Sequence, residues 1–353
     1  MNPKNSKGRV TLRDLARATG VSATAVSRAL RGMPDISTDT AERVRKTAHE
    51  MGYVANQSAV SLRYGRSNAL AAVLPSMTNP FFSIIATQLQ LAAQEKGFLI
   101  NFLCSQGKPG LEQELVRKAI SRHTDGFLLF PTDDSARTIE LLQETHTPFV
   151  LLAHDFPPYD ADCVAIDDEQ AAFLSTEHLI VSGGKHPAFI SASDTSPCFP
   201  GRKAGFTRAC MQYGLSEVIQ NVVILPELLD LSQHRESART SIAQALQVLK
   251  KKSVDSLFVF CDAEAWSIME VLRLPGFTLH SFRISAIDNI AGNLLYPIPL
   301  CSADCSMEMI ARTGVDILSA RIQGDTSPCR TILSPVHMAC NGSCGQTRID
   351  SAV

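Results

Sequence analysis

Ala23, Thr24, Ser27, Arg28 and Arg31 are the residues whose types and spacing offer chemistry first. On a helix they share an outward face, opposite Val21, Val26 and Leu30. Arginine offers a planar fork of donors, threonine and serine one hydroxyl each, and alanine a methyl. Such a face suits recognition of a patterned surface rather than bond-making. The chain has no Gly-x-Gly-x-x-Gly, Walker loop, Gly-x-Ser-x-Gly or His-Glu-x-x-His, the motif-backed routes to catalysis. His154 and Asp155 adjoin, but adjacency alone makes no site. Ten cysteines are scattered, with Cys-x-x-x-Cys spacing at Cys301/Cys305 and Cys340/Cys344. No further ligands stand at metal-site spacing, so no metal is expected and the cysteines read as reduced, mostly small core residues.

The elements that hold the outward face follow from local signals. Thr11 and Asp14 form a capping box, so a helix should start at Leu12, with Leu12, Leu15 and Ala16 on its buried side. Gly20 makes the turn, and Ser22 caps a second helix from Ala23 to about Arg31. Pro34 ends it, and Ser37 caps a third helix whose stripe is Ala41, Val44, Ala48 and Met51, stopped by Gly52 and closed by Tyr53. Two helices joined by a tight turn form a helix-turn-helix, whose second helix enters the DNA major groove. An ordinary helical hairpin with a solvated polar face is the competing reading. Charge separates the two. Residues 1–66 carry twelve Lys/Arg against five Asp/Glu, a net of +7, and the rest carries twenty-one against thirty, a net of −9. A basic head on an acidic body fits nucleic-acid binding.

From Asn56 to Gly65 comes a short helical segment too poor in apolar residues to fold alone. Beyond it, strands expected at 69–74, 98–103, 126–130, 149–152, 163–166, 188–190, 222–225, 256–260 and 283–287 alternate with amphipathic helices at 81–95, 111–121, 169–181, 202–213, 236–250 and 263–272. This alternation predicts parallel sheets covered on both faces, in two α/β lobes with a ligand cleft between them. Residues 1–9 are polar and basic without an apolar signal core, and no run approaches eighteen apolar residues. The expectation is a cytoplasmic protein without a membrane partner.

The chain resembles the lactose-repressor (LacI/GalR) family of bacterial transcription regulators, roughly from Val10 to Met338. The headpiece carries Val-Thr-Leu-Arg-Asp-Leu-Ala, Gly-Val-Ser, Val-Ser-Arg-Ala-Leu, Ile-Ser, Arg-Val, Gly-Tyr-Val-Ala-Asn and Ser-Leu-Arg. The body adds Thr-Asn-Pro-Phe-Phe, Glu-His-Leu-Ile-x-x-Gly-Gly-Lys-His, Arg-Lys-Ala-Gly-Phe and Ser-Ala-Ile-Asp-Asn. The resemblance implies a small all-α helix-turn-helix headpiece at 1–55, a hinge helix at 56–67 and a periplasmic-binding-protein-like core at 68–340. Within that core the N-lobe takes about 68–166 plus 305–330, and the C-lobe about 167–304 plus 331–340. Residues 341–353 are left as a tail, and the chain should cross between lobes near 167, 290–305 and 325–335.

By the same resemblance Ala23, Thr24 and Arg28 read bases, with Ser27 and Arg31 beside them. Thr11, Ser37, Thr40 and Asn56 touch phosphates, which fix register without reading sequence. Leu62, with Ala59 as neighbour, wedges open the central base step from the minor groove. Phe81 and Phe82 wall the effector cleft, and Arg202 and Asp288 bind the effector, an arginine fork and a carboxylate acceptor suiting sugar hydroxyls. Arg202 and Asp288 binding only each other is the alternative.

Cys261-Asp262 stands where many relatives carry Asn-Asp, Leu231 where an aromatic is common, and Ser196 and Cys198 at polar pocket positions. These departures blur the effector, not the fold. The implied function is a sequence-specific regulator, expected to be a repressor. It would bind double-stranded operator DNA as a homodimer or tetramer and respond to a small molecule, a sugar or sugar derivative. No other cofactor is expected. An enzyme or a solute-binding protein built on the α/β core is the alternative.

Overall fold

The computed structural model describes residues 10–54, 66–132, 135–229, 235–278, 281–293 and 299–345. Asn56, Ala59, Leu62 and Leu231 lie outside the described residues. The chain divides into two compact units, Met1–Ser67 and Asn68–Val353.

The first unit has three helices, α1 (Leu12–Thr19), α2 (Ala23–Leu30) and α3 (Thr38–Glu50). Each begins where a hydroxyl side chain satisfies an otherwise orphaned backbone N–H. Thr11 and Asp14 close a reciprocal capping box, and Ser22 and Ser37 accept from Ala25 and Thr40. Gly20 ends α1 with φ +71°, a left-handed turn that costs glycine nothing. Leu15, Val26, Ala29, Ala41, Val44 and Ala48 are buried, with Tyr53 packed against them. Met51 differs from its expected place. It caps α3 at the C-terminus and is exposed.

In the second unit the first sheet has the order β11-β5-β4-β3-β1-β2. Its strands are β1 (Ala69–Leu74), β2 (Leu99–Cys104), β3 (Gly126–Leu129), β4 (Phe149–Ala153), β5 (Cys163–Ile166) and β11 (Thr331–Ser334). All its pairings are parallel. Along β1, Leu70, Ala72 and Leu74 join one core cluster while Ala71 and Val73 join another. A parallel strand covered on both faces has to be apolar throughout. Helices α4 (Pro80–Glu95), α5 (Pro109–Ile120) and α6 (Ala136–Glu144) follow the first three strands.

The second sheet has the order β12-β10-β9-β8-β6-β7. It comprises β6 (Pro187–Ser191), β7 (Val222–Ile224), β8 (Ser256–Val259), β9 (Arg283–Ile287), β10 (Cys301–Asp304) and β12 (His337–Ala339). Only the β10–β12 pairing is antiparallel. Its helices are α7 (Asp168–Val181), α8 (Phe199–Gln212), α9 (Arg235–Lys251) and α10 (Asp262–Val271); α11 (Met307–Ile322) returns to the first lobe and packs on α4 and β4. Helices α7 and α8 lie very close. A Cβ at Gly205 would stand 2.1 Å from the Glu169 carbonyl oxygen, and one at Gly201 would meet Asp168 at 3.0 Å. These glycines let the first two turns of α8 pack directly against the start of α7.

The chain passes between lobes at Asp167, at Cys305-Ser306 and at Pro335-Val336, each time leaving the carboxyl end of a strand. Ser306 Oγ donates to the Pro335 carbonyl at 3.0 Å, joining the second and third crossings. Two assignments need correction. Residues 331–334 form the edge strand of the first lobe, parallel to β5, so only 337–339 of the segment 331–340 adds a strand to the second. Residues 341–345 are no loose tail: Ser343 Oγ donates to the Ile284 carbonyl at 2.6 Å, and Cys344 is fully buried.

Candidate functional site

In the first unit, α2 carries the outward face. Thr24 and Arg31 are exposed, and Ala23, Ser27 and Arg28 half-buried. Arg31 Nε donates to the Ser27 carbonyl at 3.0 Å. Arg28 is held by Asp35 in the turn before α3: Nε donates to Oδ1 at 3.1 Å and Nη2 meets Oδ2 at 2.6 Å. Asp35 therefore takes the side edge of the guanidinium, made by Nε and Nη2. Arg28 holds the Asp35 carboxyl below its usual range by hydrogen bonding. Thr11 and Ser37 stand at the N-termini of α1 and α3, where backbone N–H groups and the helix dipole favour an anion. Thr40 receives a hydrogen bond from the Ser37 hydroxyl at 2.9 Å.

In the second unit, a cavity of about 530 Å³ lies between the lobes, within the 300–1,000 Å³ range of small-molecule sites. Phe81, Phe82, Arg202 and Asp288 all line it. Phe81 and Phe82 come from the first turn of α4, started by Asn79 and Pro80. Phe130 at the end of β3 completes an aromatic wall, its ring 5.6 Å from Phe82 and 6.5 Å from Phe81, edge to face.

The second lobe supplies the polar side. Arg202 is buried, with Nε donating to Asp168 Oδ1 at 2.7 Å and Nη1 to the Phe260 carbonyl at 2.5 Å. Its guanidinium also lies 4.2 Å over the Phe260 ring. The partner of Arg202 is thus Asp168, not Asp288, and both stand in place because α7 and α8 approach so closely. Asp288 has φ +117°, a strained value for a residue with a Cβ. Its backbone is held by the Asp288 N–H to the Ala303 carbonyl at 2.9 Å. Asp262 fixes the following turn, accepting from the Ile290 N–H at 2.8 Å and the Ser302 hydroxyl at 2.6 Å. That buried carboxylate orders the loop rather than facing the cavity.

The cleft is rich in carboxylates whose burial favours the protonated form. Burial raises Glu264 to about 7, against the N–H of Ala192 at 3.0 Å. It also raises Asp288 well above the usual range, despite the opposing charge of Arg202. His154 reaches the cavity too. Its Nε2 lies 2.8 Å from the Pro131 carbonyl, and its Nδ1 3.7 Å from Cys198 Sγ. A carbonyl can only accept, so Nε2 carries the proton and Nδ1 accepts from the thiol. Burial, and then Asp168, push Cys198 up to about 12, while burial lowers His154. A neutral imidazole beside a protonated thiol is not an activated nucleophile.

Sequence reasoning missed Glu264, His154, Phe130 and Phe260 in this cavity, and Asp168, which pairs with the cavity residue Arg202. Asp168 had a signal, since the run Asp167-Asp168-Glu169 opens a helix directly after a strand. Phe130, His154 and Phe260 come from strand ends and Glu264 from the first turn of α10, where only the assembled sheet shows which way a side chain faces.

Residues 67–340 match the family of periplasmic binding proteins and the sugar binding domain of the LacI family. Residues 11–56 match the bacterial regulatory proteins of the lacI family. The transcriptional regulator GntR of Pseudomonas aeruginosa is 28% identical over 334 residues, covering 92% of this chain and 93% of its own. Among solved structures, the lac repressor dimer bound to operator and an anti-inducer aligns with TM-score 0.78 and 19% identity, over 95% of this chain and 99% of that one. The cellobiose complex of the transcriptional regulator CelR aligns with TM-score 0.63 and 24% identity, over 95% and 100%.

Proposed function

The chain belongs to the LacI family of bacterial transcriptional regulators, and from that premise we propose that it represses transcription under control of a neutral sugar bound between its lobes. It is a regulator, not an enzyme. The observation carrying the effector reading is the cavity itself, with an aromatic wall from one lobe and Arg202, Glu264 and Asp288 from the other. Aromatic faces stack on the apolar face of a sugar ring, while carboxyl and guanidinium groups bind its hydroxyls. Asp168 already offsets the charge of Arg202, and burial holds the other cavity carboxyl groups toward their neutral, hydrogen-bonding form, so the lining suits a neutral sugar better than a phosphorylated one. CelR, a relative in fold, is solved with cellobiose.

The protein acts as a homodimer on a near-palindromic operator, in the cytoplasm, as family repressors do. No helix among the described residues is long and apolar enough to cross a membrane. Ala23, Thr24, Ser27, Arg28 and Arg31 read bases, and Thr11, Ser37, Thr40 and Asn56 hold phosphates. Ala59 and Leu62 enter the minor groove. Effector binding alters operator affinity through unequal affinity for two lobe arrangements.

The test is calorimetry of the full chain with a panel of mono- and disaccharides and their phosphates. A neutral sugar should bind the wild type, and Asp288→Ala should lose that binding while keeping effector-free operator binding near wild type. If Asp288→Ala binds the sugar as tightly as wild type, Asp288 is architectural and the assigned site is wrong.

A further inference from the structure

The two Cys-x-x-x-Cys pairs, unexplained by either function above, separate in the fold. Cys305 turns into the core, its thiol 3.8 Å from the Ala303 carbonyl. Cys301 instead meets Cys340 and Cys344 at the far edge of the second sheet. Cys301 Sγ lies 3.6 Å from Cys340 Sγ, which lies 3.7 Å from Cys344 Sγ. His178, in the last turn of α7, joins them, and one donor atom from each of the four lies within 4.8 Å of all the others. The ligands come from three separate segments: α7, β10, and the stretch following β12. Sequence spacing could not reveal a set that only the fold assembles.

The geometry matches one ion. Tetrahedral zinc with Zn–S bonds near 2.3 Å sets its sulfurs about 3.8 Å apart, close to both observed separations. Buried Nε2 of His178 makes no hydrogen bond among the described residues, an expense that a metal bond or a proton acceptor would remove. Cys301 and Cys344 are fully buried, whereas Cys340 is exposed and gives an entry path.

We propose that His178, Cys301, Cys340 and Cys344 bind one Zn²⁺ ion in a closed tetrahedral Cys₃His site. Four protein ligands leave no open position, so the ion fastens rather than catalyses. It ties the segment after β12 to β10 and to the end of α7, alongside the Cys301 N–H to Ser343 Oγ hydrogen bond of 2.7 Å. Three thiols would release protons on binding, so affinity rises with pH.

The experiment titrates full-length reduced protein with Zn²⁺ against a chromophoric chelator and, separately, with Co²⁺. The expected results are one Zn²⁺ per chain and intense visible cobalt bands typical of tetrahedral thiolate coordination. Cys340→Ser should weaken Zn²⁺ binding at least about a hundred-fold, beyond the roughly 10–100-fold typical of residues that merely support a ligand. Cys329→Ser, at an exposed cysteine outside the cluster, should leave it unchanged. Should Cys340→Ser fail to fold, Cys340→His supplies a replacement ligand, and the wild-type cobalt spectrum decides alone. Sub-stoichiometric zinc, a weak octahedral cobalt spectrum, wild-type affinity in Cys340→Ser, or a Cys301–Cys340 or Cys340–Cys344 disulfide in freshly purified protein would each overturn the proposal.

Discussion

Two arginine–aspartate pairs of almost equal length occur in the two units of this chain. Arg28 and Asp35 meet at 2.6 Å with side chains 39% and 49% exposed, whereas Arg202 and Asp168 meet at 2.7 Å with 5% and 11% exposed. Distance alone would call them equivalent. Solvent makes them different. Around Arg28 water competes with Asp35 for the same donors, so the pair adds little to stability and can share its guanidinium with a base. Around Arg202, Asp168, the Phe260 carbonyl and the Phe260 ring stand in for water, so each partner compensates the other's lost hydration. The first pair fixes the arginine to which base reading is assigned in the proposed function; the second sits at the wall of the cleft.

The sharpest way to break this comparison is Asp168→Ala. It leaves the Arg202 charge buried without its partner, and the full chain should lose about 3–5 kcal/mol in denaturant unfolding of the second unit. A loss no greater than that of an exposed pair would mean that water reaches Arg202 after all.

Next in size is a pH effect beside that pair. Burial raises Glu264 from 4.5 to about 7, so between those values the folded state keeps a proton that the unfolded chain releases. Stability should therefore fall as pH rises from about 4.5 to about 7, by on the order of 3 kcal/mol for this group. Glu264→Gln should remove that share of the slope, as read from unfolding midpoints across the window. An unchanged slope would assign it to Asp262 and Asp288 instead.

In the other unit, Arg28→Ala should cost about 1–3 kcal/mol of operator affinity, concentrated at one base pair. Binding-site selection with wild type and variant measures this. A uniform loss with a shallower salt dependence would make Arg28 a phosphate contact. The smallest effect is expected of Asp35→Ala. Its thermal midpoint should match wild type, while discrimination at the base pair read by Arg28 relaxes by a few-fold. Unaltered discrimination would show that Arg28 needs no partner to aim it.

The headpiece was the most legible part of the sequence because its signals are local. Thr11 with Asp14, Ser22 and Ser37 each satisfy a helix N-terminus within three residues of themselves. The long apolar strands β1, β3, β4 and β5 were legible for a related reason, since burial on both faces leaves an unbroken run. Strands β10, β11 and β12 were not. Cys-Ser-Ala-Asp, Thr-Ile-Leu-Ser and His-Met-Ala are short, and they become strands only through pairing with residues far away in sequence. Helices α6 and α11 were likewise not singled out beforehand. In the cleft, Phe81, Phe82, Arg202 and Asp288 were marked by motif, whereas the acidic run around Asp168 marks only a helix start, and its pairing with Arg202 comes from the close approach of two helices at Gly201 and Gly205. Met51 was misread because helical spacing continued its stripe one step past the last turn.

The three crossings between the lobes have a mechanical consequence. Each is one or two residues long, and two are joined through Ser306 and Pro335. Tethers this short have no slack for the lobes to slide past one another or pull apart. They behave as a flexure, stiff in translation and compliant in rotation. Ser306 at φ +54° and proline at 335 narrow that rotation further, since neither backbone turns freely. Such a linkage restricts the ways in which the cleft could shut, and a closing rotation would carry Phe81 and Phe82 toward Arg202 and Asp288 along nearly one arc.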